Sequence, residues 1–271
     1  MTDANALGGV TIGITAERRA EEFLGALERH GATVKHAPTL TIVPLPDDDA
    51  LRVVTERVAT ADIDHVAVTT GAGFRGWVEA ARGWGLAEPL LESLSRAAVF
   101  TRGPKATGAV RGHGLRETWS APGETDRELF DRVLAEDPRG ARVAVQSHGA
   151  PLTEHTDALR AHGAEVLEAR PYRWQWPEDL GPARSLVDDV CSGAVDALAF
   201  TSAPATRNLL TLADDAGRRA EFVDALTHRV RCACVGPVTA APLTEVGVPT
   251  LQPERQRLGA LVKLLVAELG R

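Results

Sequence analysis

Short apolar runs alternate along the chain with longer stretches in which apolar positions recur every three or four residues. VTIGIT (Val10–Thr15), VAVT (Val66–Thr69), AAVF (Ala97–Phe100), VAV (Val143–Val145), ALAF (Ala197–Phe200) and VRCACV (Val230–Val235) are brief, apolar or β-branched, and read as strands. Between them Glu17–His30, Ala50–Ala61, Gly73–Ala81, Thr153–His162, Pro182–Cys191 and Ala205–Ala213 carry helical spacing. Strands nearly apolar throughout, alternating with helices, predict an α/β protein of parallel sheets with helices on both faces. RHGA and AHGA, holding Gly31 and Gly163, read as matched helix stops with glycine at C′.

The chain also matches itself. Gly103 meets Gly236 and Gly114 meets Gly247 at an offset of 133 residues. LERHGATVKHAP meets LRAHGAEVLEARP at 132, DIDHVAVTTGAGFRG meets GAVDALAFTSAPATR through Asp64 and Asp196 at 132, and GVTIGIT meets GARVAVQ at 131. Four blocks at nearly one spacing indicate a duplication. Two Pro-rich extended segments, HAPTLTIVPLPDD and EARPYRWQWPEDLGP, break the rhythm at equivalent places. Read as crossings, they predict two similar lobes joined by two extended segments, with a cleft between them. One lobe would hold residues 1–38 plus 175–271 and the other 39–174; a single cut near Pro138 is the rival division.

Composition narrows the function. A length of 271 residues suits two cores of roughly 130 residues each. The net charge of −7 argues against a nucleic-acid surface. Cys191, Cys232 and Cys234 show no C-x-x-C pair and fit buried thiols in a reducing cytoplasm better than a disulfide framework or zinc. No run of 18 apolar residues would span a membrane, and MTDANALGG lacks the features of a signal peptide.

The informative loops are TTGAGFRG, TRGPKATG, TSAPATRN and VGPVTAA, each leaving an apolar strand and opening a helix. Ligands of parallel sheets sit at such strand ends, where helix N-termini offer unpaired N–H groups and partial positive charge. Two such loops per lobe suit a multiply anionic ligand; the plainer reading is ordinary βα turns with Ser and Thr as N-caps. GAGFRG (Gly71–Gly76) matches G-x-G-x-x-G, but it is not in the first βα unit, its repeat partner SAPATR has no glycine, and Arg75 and Trp77 are bulky. No histidine has metal-ligand spacing, so His148 and His155 read as solvated loop or helix-end residues. Ser147 and Ser202 lack a nucleophile elbow. Tyr172, the only tyrosine, is either a hydrogen-bond donor or acid beside the cleft, or a linker aromatic packed with Trp174 and Trp176.

With VGPVTA, DALAFTSAPATRNLL and the H-G-A-E-V segment leading to Tyr172, the chain resembles the uroporphyrinogen-III synthase family over residues 9–269. The resemblance implies two α/β lobes linked by two extended strands. The implied reaction closes the linear tetrapyrrole hydroxymethylbilane with inversion of the last pyrrole ring and loss of water. It further implies no cofactor and no metal, a small-molecule tetrapyrrole partner, a cytoplasmic monomer, and no contact with nucleic acid or membrane. Tyr172 matches the family's tyrosine assigned to departure of the hydroxyl, and Ser202, Thr239 and Gly236 match loop positions lining the cleft. The other candidates for substrate binding are Thr15, Thr70, Gly71, Gly103, Thr107, Ser147 and Thr201. Three places depart from the family pattern: Thr15-Ala16 stands for Thr-Arg, Thr70-Gly71 for Thr-Ser, and Ala106 falls where a Thr belongs, with Thr107 one place late. These departures motivate a second expectation, a ligand-sensing or regulatory domain that binds a tetrapyrrole or another anion without turnover. GFRGWVEAARGWGL and RGPKATGA are similar to an actinobacterial subgroup often joined to a C-terminal winged-helix regulator domain; no such domain is expected within these 271 residues.

Overall fold

The computed structural model describes residues 5–45, 48–149 and 152–270; positions 46 and 47 of the first expected crossing lie outside the described residues. The strands are β1 (Thr11–Ile14), β2 (Thr33–His36), β3 (Thr41–Pro44), β4 (His65–Val68), β5 (Ala98–Thr101), β6 (Trp119–Ser120), β7 (Arg142–Gln146), β8 (Glu165–Ala169), β9 (Tyr172–Gln175), β10 (Ala197–Phe200), β11 (Arg231–Cys234) and β12 (Thr250–Leu251). The helices are α1 (Ala20–Glu28), α2 (Asp49–Thr60), α3 (Gly71–Gly83), α4 (Ala87–Arg96), α5 (Pro104–Gly112), α6 (Asp126–Leu134), α7 (Thr153–Ala161), α8 (Gly181–Ser192), α9 (Ala203–Asp215), α10 (Arg219–His228), α11 (Pro237–Thr244) and α12 (Leu258–Leu269).

Two compact units emerge, Met1–Thr41 with Gln175–Arg271, and Ile42–Trp174. The first unit holds a parallel sheet of order β12-β11-β10-β1-β2, and the second a parallel sheet of order β6-β5-β4-β7-β8. Strands β3 and β9 form a separate two-stranded sheet. This is the α/β class that the alternating pattern predicts.

The two sheet orders coincide once the repeat is laid over them. Strands β1 and β2 correspond to β7 and β8, and β10 to β12 correspond to β4 to β6. Each sheet therefore draws two strands from the opening of one repeat and three from the close of the other. Register follows the same rule: Ile12 pairs with Ala197 in one sheet, and their counterparts Val143 and His65 pair in the other. Even a polar tie is duplicated. Asp196 Oδ2 accepts from the Thr11 amide at 2.8 Å, and Asp64 Oδ2 accepts from the Arg142 amide at 2.8 Å.

Both faces of each sheet are buried, which is why the strands are apolar without alternation. In β10, Ala197 and Ala199 face a core containing Phe23, Leu27, Leu261 and Leu265, whereas Leu198 and Phe200 face Leu186, Val190 and Phe222. In β4, Val66 and Val68 meet Phe74 and Trp77, while Ala67 meets Phe130 and Val145 on the opposite face. Cys191, Cys232 and Cys234 are buried free thiols, and burial pushes Cys234 up to about 12.

Helix α1 is shorter than its apolar spacing suggests. Arg19 adopts a left-handed conformation at φ 57°, which breaks the helical path before Ala20. Gly163 fills its expected C′ position at φ 88°, whereas Gly31, at φ 89°, lies one residue further from the end of its helix.

Candidate functional site

In the second unit, Thr70 caps α3: its Oγ1 accepts from the Gly73 amide at 3.1 Å. The same Oγ1 lies 3.2 Å from the Tyr172 phenol oxygen, while the Thr70 amide donates to Gln146 Oε1 at 3.2 Å. Tyr172 is only 9% exposed, so its ring is held while its oxygen meets the carboxyl end of the sheet. Trp174, two residues further along β9, stacks on His148, and Trp176 is exposed.

Two glycines of GAGFRG, Gly71 and Gly73, have a packing cause. A Cβ on Gly71 would collide with the Lys105 carbonyl of α5, and one on Gly73 with the Gln146 side chain. Trp77, far from obstructing the helix, is fully buried and donates through Nε1 to Thr55 Oγ1 at 2.8 Å. Close packing thus accounts for Gly71 and Gly73, while a Cβ at Gly76 would make only ordinary contact with Pro171.

Gly103 and Pro104 open α5, and no side chain caps that helix. A side chain at Gly103 would run into Glu124. The Thr107 hydroxyl lies 2.7 Å from Thr101 Oγ1 and donates to Ser120 Oγ at 3.2 Å, filling the sheet edge. Ser147, fully buried, donates to Glu168 Oε1 at 2.6 Å, and Arg170 grips both Glu168 oxygens at 2.9 Å. Burial pushes the Glu168 carboxyl up, but the Arg170 and Ser147 hydrogen bonds outweigh it and hold it below the ordinary carboxylate value.

A second polar group was not legible in the sequence. Asp126, first residue of α6, accepts from Arg102 Nη1 at 3.1 and 3.2 Å and lies 3.1 Å from His148 Nε2. Burial raises the Asp126 pKa, but the His148 hydrogen bond and the Arg102 charge lower it further, so the group ends below its usual value. An ionised carboxylate only accepts, which puts the proton on His148 Nε2. The His148 ring stacks on Trp174 with centroids 5.0 Å apart. His148 is thus not the solvated loop histidine expected: its side chain is 11% exposed and wedged between a carboxylate and an indole. His155 likewise stacks on Phe130, at 4.7 Å.

In the first unit, Ser202 follows Thr201 and caps α9, accepting from the Ala205 amide at 3.4 Å. Gly236 and Pro237 open α11 without a side-chain cap, and a Cβ at Gly236 would meet Gln256. Thr239 is buried in the first turn of α11, its carbonyl accepting from Thr206 Oγ1 at 3.5 Å. Thr15, just past β1, is 1% exposed, and its Oγ1 has no hydrogen-bond partner among the described residues.

Each unit therefore gathers its candidates at the carboxyl ends of its own strands: Thr70, Gly71, Gly103, Thr107, Ser147 and Tyr172 in one, Thr15, Thr201, Ser202, Gly236 and Thr239 in the other. Both follow one scheme, in which one helix is capped by a hydroxyl and its neighbour starts uncapped at Gly-Pro. The caps also correct one reading. Ser202 and Thr70 are equivalent N-caps, so Thr201-Ser202 corresponds to Thr69-Thr70, and Thr70-Gly71 is not a departure at that position. The shift at α5 is real: Ala106 occupies the turn position that Thr239 holds in α11.

Among the described residues, no group of three or more His, Cys, Asp or Glu is placed to hold a metal, and no helix is long and apolar enough to cross a membrane.

These features define a duplicated α/β protein with two parallel five-stranded sheets and paired βα loops at their carboxyl ends. The profile of the family Uroporphyrinogen-III synthase HemD matches residues 21–263, and the chain belongs to that family, one of porphyrin and haem biosynthesis. It is similar to a mutant uroporphyrinogen III synthase from the extremely thermophilic bacterium Thermus thermophilus, with 31% identity, TM-score 0.80, and coverage of 94% of this chain and 96% of that one. The wild-type Thermus thermophilus enzyme aligns with TM-score 0.66 and 31% identity over 96% of this chain and 97% of its own. The uncharacterized protein YjjA of Bacillus subtilis is 31% identical over 258 residues, 94% of each chain.

Proposed function

We propose that this chain is a uroporphyrinogen-III synthase that closes hydroxymethylbilane, inverts the last pyrrole ring and releases water. The observation that carries the reading is the Tyr172 phenol, seated on Thr70 at the mouth of the second unit's sheet. A phenol is both donor and acceptor and keeps its proton at neutral pH. Donating to the departing hydroxyl of the substrate would help it leave as water, with the pyrrole nitrogen supplying electrons to the carbon it vacates. The vacated carbon bonds to the α-carbon of the last ring that already carries a bridging methylene; that older bond breaks, and the freed methylene bonds to the ring's other α-carbon, whose released proton returns to the phenolate. The uncapped first turns of α5 and α11 offer N–H groups to substrate carboxylates. Holding a flexible chain in a reactive fold is itself a large part of such a catalysis.

The test is the product isomer. Hydroxymethylbilane made enzymatically and passed to the protein should give the type III isomer; a mixture matching the protein-free control overturns the reading. The Thr107 hydroxyl, tied to Thr101 and Ser120, favours a binding domain without turnover as the second reading. Calorimetry separates the two: tetrapyrrole binding without turnover selects the second.

A further inference from the structure

The polar group around Asp126 has an apolar counterpart. Arg102 precedes the glycine that opens α5, as Val235 precedes the glycine that opens α11. Asp126 is the first residue of α6, as Leu258 is of α12. Val235 and Leu258 both belong to one hydrophobic cluster of the first unit, whereas the counterpart of His148, Glu17, is exposed. The fold thus places two apolar side chains here in one copy, and in the other a cation and a carboxylate that an imidazole joins. Replacing apolar packing by partly buried charge seldom adds stability, because desolvation offsets the attraction. A use other than stability is needed.

Geometry supplies one. Tyr172 and Trp174 are two apart in β9 and so point to the same side, about 7 Å apart along the strand. Trp174 is fixed twice over: its ring lies on His148, and its amide donates to the Gly149 carbonyl at 3.2 Å. Gly149 has no room for a Cβ because the Trp174 indole occupies that space. His148 is in turn held by Asp126, and Asp126 by Arg102. We infer that His148, locked by Asp126, is a positioning residue that sets the Tyr172 phenol through Trp174 and the backbone of β9. Its catalytic consequence rests on the proposed synthase reading; its structural consequence does not.

Tyr172 is the only tyrosine, so protein made with ring-13C tyrosine gives one set of phenol ring signals. In His148→Ala and Asp126→Asn those signals should move by more than their linewidth, and in Trp174→Phe, which keeps a ring over His148, by less. With hydroxymethylbilane, His148→Ala should lower kcat about tenfold with KM within about twofold, the signature of a misplaced reacting group. Trp174→Phe should keep most of the wild-type kcat. Tyrosine signals unmoved in both His148→Ala and Asp126→Asn overturn the inference, as does a rise in KM at unchanged kcat. If the wild type gives no type III product, the synthase reading fails, and the tyrosine spectrum alone decides the positioning claim. Should His148→Ala not fold, Asp126→Asn and Trp174→Phe carry the same test.

Discussion

The Tyr172 phenol oxygen and Thr70 Oγ1 lie 3.2 Å apart, and that Thr70 oxygen also caps α3 through the Gly73 amide. One hydroxyl thus connects the proposed acid to a helix N-terminus, so the phenol is oriented by a group that folding itself requires. Tyr172→Phe removes the phenol and leaves the cap. Unfolding free energy should change by no more than about 1 kcal/mol, the worth of one hydrogen bond, while kcat for type III product falls about 100-fold, within the range for a lost proton donor. Thr70→Val should cost about 1 kcal/mol through the lost cap and lower kcat as well. Urea titration and steady-state kinetics on the same preparations check both; unchanged kcat in Tyr172→Phe removes the phenol from the chemistry.

Much of the architecture was legible because repetition and burial leave marks that survive in one dimension. The strands β4, β7 and β10 carry apolar runs, and α2 and α9 hold a clean helical period. Where these marks are missing, reading fails. Helix α11 spans eight residues, contains Pro242 and has Val238, Ala240, Ala241 and Leu243 around its circumference, so no face stands out. Strands β6 and β12 are two residues each, too short for any period. Thr70, Tyr172, Gly236 and Ser202 were accessible through loop chemistry and resemblance. Asp126 was not: it sits in an ordinary capping box with Thr125 and Glu128, and its partners Arg102 and His148 are 24 and 22 residues away. Only folding brings those three together.

Gly71 of the G-x-G-x-x-G stretch and Gly108 of α5 give predictions of opposite sign. Gly71→Ala forces a methyl group against the backbone carbonyl of Lys105, and neither α3 nor α5 can yield locally. The variant should lose about 1–3 kcal/mol. Gly108 lies exposed inside α5 with no atom within 4 Å of a built Cβ, so Gly108→Ala should gain about 0.5–1 kcal/mol from helix propensity. Because packing accounts for Gly71 and Gly73, NAD(P) should leave the melting temperature of the wild type unchanged. Thermal and urea unfolding of the three proteins decide it.

The duplicated carboxylates offer a test of the shared construction. Asp196 receives the Thr11 amide in one unit, and Asp64 receives the Arg142 amide in the other, both at 2.8 Å. Asp196→Ala and Asp64→Ala should each cost about 1 kcal/mol. Each should speed hydrogen exchange in its own unit: at Thr11 and its β1 neighbours for the first, at Arg142 and β7 for the second. Exchange that rises equally in both units for either variant contradicts this assignment.

The pH dependence of stability follows from Asp126 and Glu168, whose pKa values are both depressed in the folded protein. As acidity rises, the unfolded chain takes up these protons first, near the ordinary carboxylate values of about 4. Each group therefore adds stability that is complete above about pH 5 and is lost as pH falls through its lower folded-state value. Asp126→Asn and Glu168→Gln cannot ionise, so the gap in unfolding free energy between wild type and variant should be level from pH 7 to about pH 5 and shrink below about pH 4. Arg102 and His148 face Asp126, and Ser147 and Arg170 face Glu168, so each variant also releases its own partners. In Asp126→Asn the shrinking gap should therefore come with a changed His148 ring environment, and in Glu168→Gln it should not. Urea unfolding at pH 7, 5, 4 and 3, read beside the histidine ring signals, measures both; a gap that widens on acidification would mean that these carboxyls are not held ionised by their neighbours.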